Sequence, residues 1–215
     1  MIVKERILNA LHDCCFEDLC EGNCFENVIQ KMDTSVLPRD YRTGATKLVI
    51  ILHDEDYVIK IPFHGGSWGA DSKYYDFENA PEPDRWDYCK VETLQYERIA
   101  EAGLQTFFVE TKLLGYIKGY PVYIQPKVNI FNDVRDDDDY DEKTVSTTVD
   151  ICNKLQVGCF NSYWLTDFLD FFTQSDLERL SKHIRDNAIG DLHGDNLGFL
   201  PNGQPVIVDY ADYWE

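Results

Sequence analysis

Two runs rich in β-branched residues, four positions apart, constrain this chain more than any other feature. The first is Thr46-Lys47-Leu48-Val49-Ile50-Ile51-Leu52 and the second is Tyr57-Val58-Ile59-Lys60-Ile61-Pro62-Phe63. Side chains branched at Cβ pack well on a pleated surface and lose rotamer freedom in a helix, so both runs read as strands. The segment between them, His53-Asp54-Glu55-Asp56, is short and polar, so the two strands pair as an antiparallel hairpin. Every later expectation depends on residues 46–63 being extended.

The rest of the chain alternates helical and extended patterns. Tyr88, Val91, Leu94, Tyr96, Ile99 and Ala102 recur at helical spacing, which predicts a helix over 87–102 that stops at Gly103. Val91, Leu94 or Ile99 should face a sheet. Phe107-Phe108-Val109 and Lys112 to Ile117 read as a further strand, with a turn at Gly119-Tyr120 and a return strand over 121–125. Upstream, Ile2, Val3, Ile7, Leu8 and Leu11 predict a helix from Ile2 to about Leu19. Between the hairpin and the first long helix lie Gly65, Gly66, Gly69, Pro81 and Pro83, a surface-loop composition.

Downstream, Val134 to Glu142 is an acidic, solvated connector. Helices are predicted over 144–155, 163–172 and 175–187, the last capped by Ser175 with Glu178 completing a capping box. The chain returns to strands at Leu197 to Leu200 and Pro205 to Asp209, joined by the turn Pro201-Asn202-Gly203. The fold class is therefore α+β. Its expected parts are an accessory helical segment over 1–39, a sheet-plus-helix body over 40–128, and a mainly helical body over 129–215.

Composition narrows the function classes. Of 215 residues, 44% are hydrophobic and 13% aromatic, enough for a buried core and too many for a disordered chain. No apolar run approaches the ~18 residues of a membrane span. The start, Met1-Ile2-Val3-Lys4-Glu5-Arg6, lacks the pattern of a secretory signal, so a cytoplasmic protein is expected. The net charge of −19 opposes nucleic acid, and no run of five basic residues offsets it. A basic protein partner suits that charge better. Seven cysteines, an odd number, suggest reduced thiols. His12, Cys14, Cys15, Cys20 and Cys24 cluster without a CxxC pair, so ordinary thiols are expected there rather than a zinc site.

Four features carry chemistry, in a fixed order. Lys60 ends Val58-Ile59-Lys60 on a strand. A helix with Glu92 and Glu97 follows. Gly190-Asp191-Leu192-His193-Gly194-Asp195-Asn196 comes directly after a helix, and Asp209 ends the apolar run Val206-Ile207-Val208. Asn196 follows Asp191 by five positions, and a hairpin separates Asp191 from Asp209. The same Asp-to-Asn spacing and the same hairpin occur in the catalytic loop and D-F-G strand of protein kinases. Over about Thr43 to Tyr210 the chain resembles the protein-kinase-like superfamily. Its Asp191-Leu192-His193-Gly194-Asp195-Asn196 is most similar to small atypical bacterial or phage-type members with a D-x-H-x-x-N loop. Aminoglycoside-phosphotransferase-like enzymes are more distant.

That resemblance implies a two-lobed fold and an ATP- and Mg²⁺-dependent phosphotransferase. Phosphoryl transfer depends on positioning and on neutralising charge at the phosphate oxygens. By resemblance, Lys60 grips phosphates and a helix glutamate holds Lys60. Glu92 is the preferred partner, with Glu97 as the alternative. Asn196 and Asp209 would hold Mg²⁺, and Asp191 would accept or orient the proton of a hydroxyl on a protein or a small molecule. His193 would touch the γ-phosphate or brace the loop. Gln125, Pro126 and Val128 fall at the adenine hinge. Gly44 stands where a glycine-rich loop is expected, with Thr46 or Lys47 adding donors for phosphate.

Three departures accompany the resemblance. Gly44 is the only glycine just before the first strong strand, D-F-G becomes Asp209-Tyr210-Ala211, and the chain stops six residues after Asp209, so a truncated core is expected. These departures and the acidity leave a pseudokinase-like module, binding a protein partner without transfer, as the alternative. Transfer of AMP on the same scaffold is a third option with no residue that demands it.

Overall fold

The computed structural model describes residues 2–14, 16, 28, 30–33, 35, 40–44, 46–52, 55–62, 87–135, 142–155, 165–187, 189 and 192–211. The chain divides into two compact units. One comprises Met1–Leu94 with Thr111–Lys127, and the other Gln95–Glu110 with Val128–Glu215.

The first unit is built on an antiparallel sheet. Its strands are β1 (Tyr41–Thr43), β2 (Lys47–Ile51), β3 (Tyr57–Pro62), β4 (Lys112–Ile117) and β5 (Tyr120–Pro126), in the order β1-β2-β3-β5-β4. The β2–β3 hairpin pairs Ile50 with Ile59 and Val49 with Lys60. Because side chains alternate along a strand, Leu48, Ile50, Ile59 and Ile61 share one face. All four are fully buried, in one core with Val122 of β5 and with Ile7 and Leu11 from the start of the chain. Lys47, Val49 and Lys60 take the opposite face. Tyr123 pairs with Lys60 and Gln125 pairs with Val58, so both belong to that second face.

The N-terminal helix, α1 (Ile2–Ala10), is shorter than the expected span to Leu19. Its helical spacing of apolar residues ends at Leu11, and a turn through Asp13 then lets Cys14 and Phe16 enter the sheet's core. Val28 and Met32 join the same core. Strand β1, with its half-buried and exposed side chains, carries no apolar alternation to announce it.

Helix α2 (Tyr88–Glu101) lies where its periodicity places it, and Gly103 follows with φ +68°, the left-handed geometry that closes many helices. Val91 and Ile99 are buried, but Leu94 is 45% exposed. The buried positions are Tyr88, Cys89, Val91, Glu92, Gln95 and Ile99, so two polar residues, Glu92 and Gln95, are buried where Leu94 is not.

The second unit holds a small sheet of β6 (Asn129–Ile130), β7 (Leu197–Phe199) and β8 (Pro205–Ile207), with helices α3 (Phe131–Val134), α4 (Glu142–Leu155), α5 (Leu165–Phe171) and α6 (Gln174–Asp186). Phe107-Phe108-Val109, expected as a strand, instead follows a 3₁₀ turn over Gln105–Phe107 and makes a single bridge from Phe108 to Ile207. The turn lets Phe107 join an aromatic cluster, with its ring 4.1 Å from Phe172 and 6.3 Å from Phe168. Gly198 is buried in β7, where an added Cβ would lie 2.5 Å from Val128 Cγ2 and 2.7 Å from the Asn129 carbonyl oxygen. The backbone oxygen cannot step aside, so Gly198→Ala is expected to cost about 1–3 kcal/mol in denaturant unfolding.

The cap of α6 is Thr173, not Ser175. Thr173 Oγ1 accepts from the Asp176 backbone N–H at 3.2 Å, and the Asp176 carboxylate accepts from the Thr173 N–H at 3.1 Å. The capping box therefore sits two residues earlier, because a cap needs extended backbone and Thr173 has it (φ −73°, ψ 158°). Thr173→Ala is expected to cost about 1 kcal/mol, while Ser175→Ala should leave the unfolding midpoint unchanged. Among the described residues, no helix is long and apolar enough to cross a membrane.

Candidate functional site

The polar face of the five-stranded sheet holds a hydrogen-bonded network. Glu92, projecting from α2, is fully buried. Its Oε2 accepts from Lys60 Nζ at 2.8 Å and from Thr111 Oγ1 at 2.5 Å. Its Oε1 accepts from Lys47 Nζ at 2.6 Å. Thr111 Oγ1 accepts in turn from Gln125 Nε2 at 2.9 Å. Both lysines are 4% exposed. Charges taken out of water are tolerated only when paired and hydrogen-bonded, which this group achieves.

Local structure explains the convergence. With Val49 opposite Lys60, Lys47 sits two residues along β2 on the same face, a diagonal neighbour. Asp87 fixes the start of α2. Its Oδ1 accepts from the Lys90 N–H at 2.9 Å, and its Oδ2 accepts from the Tyr123 hydroxyl at 2.6 Å. Burial raises the Asp87 pKa, and these hydrogen bonds partly offset the rise. Cys89 is buried beside Glu92. Burial first, and then the Glu92 charge, push its thiol far above the ordinary range.

The sequence-predicted residues fall out differently around this network. Lys60 and Glu92 are brought together, whereas Glu97 is exposed. Gln125 is buried and turns its amide onto Thr111. Pro126 pairs with Tyr57 at the end of β5. Gly44 is exposed, and its N–H donates to the Lys47 carbonyl at 3.0 Å, closing the β1–β2 turn. Thr46 is half-buried in that turn. Thr111 was not anticipated, and neither was the Lys47–Glu92 bond. The parity of Lys47 with Val49, opposite Lys60, was the available signal for that bond.

The second unit carries the remaining candidates. Asp191 lies outside the described residues. His193, exposed, precedes a 3₁₀ turn over Gly194–Asn196, and its Nδ1 accepts from the Asp195 N–H at 3.2 Å. Its Nε2 lies 3.2 Å from the Asn196 amide nitrogen. The Asn196 carbonyl accepts from the Val208 N–H at 2.9 Å and from the Asp209 N–H at 3.4 Å, so the two sequence-predicted metal ligands are backbone neighbours. Asn132, which the sequence reading passed over, donates to Asp195 Oδ1 at 3.0 Å. An added Cβ at Gly194 would collide with the Asn132 side chain, so Gly194 makes room for this contact. Val128 packs with Val109, Val206 and Val208.

No family model matches the chain, and no curated protein or solved structure matches it.

Among the described residues, no cluster of three or more His, Cys, Asp or Glu side chains could hold a metal ion. Asn196 and Asp209 offer an amide oxygen and a carboxylate, hard donors of the kind Mg²⁺ prefers when substrate oxygens and waters complete its shell. The Cys14 thiol is buried, donates to the Val28 carbonyl at 3.5 Å, and is raised by burial to about 11. Cys15, Cys20 and Cys24 lie outside the described residues.

Proposed function

We propose that the chain is an ATP- and Mg²⁺-dependent phosphotransferase of two-lobed, protein-kinase-like architecture, moving the γ-phosphate to a hydroxyl acceptor on a protein. The observation that carries this reading is the buried bond from a strand lysine, Lys60, to a helix glutamate, Glu92. A lysine held in one geometry by a buried carboxylate is suited to placing its charge on phosphate oxygens.

In this reading Lys60 binds phosphate, and Glu92, itself held by Thr111, orients Lys60. Asn196 and Asp209 hold Mg²⁺, which supplies neutralising charge to the phosphate oxygens. Asp191 takes the proton of the acceptor hydroxyl while the acceptor oxygen bonds to the γ-phosphorus and the bridge to the β-phosphate breaks, leaving ADP. His193 braces the loop through Asp195 and Asn196, the role its two contacts favour over touching phosphate.

A second reading, a pseudokinase-like module that binds a protein partner without transfer, has its own support. Tyr210, which replaces the phenylalanine of D-F-G, is fully buried, and its hydroxyl donates to the Val109 carbonyl at 2.9 Å. Tyr210 is thus anchored directly after Asp209, Ala211 stands where kinases carry a flexible glycine, and the −19 charge suits a basic partner. A γ-labelled ATP assay across protein and small-molecule acceptors separates the two. Label transfer supports the first, and Mg²⁺–ATP binding without transfer to any acceptor supports the second.

A further inference from the structure

We propose that Lys47 is a second phosphate-binding cation, paired with Lys60 on the shared carboxylate of Glu92, and that the pair selects nucleotides carrying two or more phosphates. The inference rests on the reading that this face binds ATP.

The two ammoniums use different oxygens of Glu92, Lys47 taking Oε1 at 2.6 Å and Lys60 taking Oε2 at 2.8 Å. They are therefore held on the two oxygens of one carboxylate, from two neighbouring strands. An oligophosphate presents anionic oxygens in the same fashion, one phosphate after the next. A lone phosphate can meet one ammonium well and the other poorly.

Lysine is also a costly choice for this position. Fixing its long side chain forfeits rotamer entropy, and burying the ammonium forfeits hydration. A neutral donor could satisfy Glu92 Oε1 without a charge, as Thr111 does at Oε2. What lysine adds there is a full positive charge beside that of Lys60. The supports beneath are fixed as well, because Thr111 bonds both Glu92 and Gln125. Glu92 thereby acts as a positioning residue for two cations rather than one.

Calorimetry on the full chain with Mg²⁺–ATP, Mg²⁺–ADP, AMP and adenosine tests this, comparing wild type with Lys47→Gln and Lys60→Gln. Glutamine still donates to Glu92 but lacks the charge. Each change should weaken ATP and ADP binding about ten- to hundredfold, the worth of a charge-assisted hydrogen bond. AMP should lose less, and adenosine nothing. The preference of wild type for ATP over AMP should shrink in both variants. If Lys47→Gln does not fold, Lys47→Arg takes its place, and the ATP preference should survive because the charge does. Equal weakening of all four ligands, or unchanged ATP binding in Lys47→Gln beside a loss in Lys60→Gln, overturns the proposal and leaves the nucleotide-binding reading standing. Absence of nucleotide binding by wild type overturns both.

Discussion

Replacing Glu92 with leucine is expected to be the most destabilising single change in the first unit. The carboxylate accepts from Lys47, Lys60 and Thr111 and has no exposed surface. Leucine fills similar space but leaves two buried ammoniums without the anion both bond to. Removing one partner from a buried ion group typically costs about 3–5 kcal/mol, against a total stability of roughly 5–15 kcal/mol for a protein of ordinary size. Glu92→Gln should cost less, since its amide oxygen still accepts while its NH₂ faces a donor. The triple change of Lys47→Met, Lys60→Met and Glu92→Leu should recover most of the loss, because an apolar replacement of a whole buried ion group is often near neutral. Urea unfolding of the three variants provides the check. A Glu92→Leu protein within about 1 kcal/mol of wild type would mean that water reaches this group and screens it.

The parts of the fold that could be read from the sequence are those with an unbroken local pattern. The β2–β3 hairpin is dense in β-branched residues, α2 repeats apolar residues over four turns, and the β7–β8 hairpin has a Pro-Asn-Gly turn. Errors arose where tertiary packing outvoted the pattern. Phe107-Phe108-Val109 has strand composition, but its aromatic partners Phe168 and Phe172 favour a 3₁₀ turn. Leu94 fits the helical repeat yet is exposed while Glu92 is buried, because the Glu92 carboxylate bonds Lys47 and Lys60 on the sheet. The α6 cap slipped from Ser175 to Thr173 because both are good capping residues, and each is followed three positions later by an acidic one.

At the site, a helix glutamate beside Lys60 was expected from the resemblance to kinases, with Glu92 preferred and Glu97 the alternative, and it is Glu92 that bonds Lys60 while Glu97 is exposed. Thr111 was not expected. It lies outside any regular element, and nothing in its neighbours marks it as a bridge between Glu92 and Gln125. Long-range side-chain bonds of this kind follow from strand register, which a single sequence leaves open.

Asp191→Asn and Asp209→Asn are expected to separate binding from transfer. The phosphotransferase reading gives Asp209 to the metal, so asparagine there removes a charge that helps hold Mg²⁺ and with it the phosphates. The side chain keeps its shape, and its backbone N–H can still donate to Asn196, so the local fold should stand. Nucleotide affinity and turnover should therefore fall together. Asp191 serves the acceptor hydroxyl in the same reading. Asparagine there cannot take a proton, and loss of a general base costs on the order of 10²–10⁴ in rate. Mg²⁺–ATP binding should survive that change nearly intact. Calorimetry gives the affinities and single-turnover transfer of labelled γ-phosphate gives the rates. If Asp191→Asn transferred phosphate at the wild-type rate, the assignment of the base would be wrong. If Asp209→Asn bound Mg²⁺–ATP as wild type does, the carboxylate would have no part in holding the metal, and the kinase-like reading of Asp209-Tyr210-Ala211 would go with it.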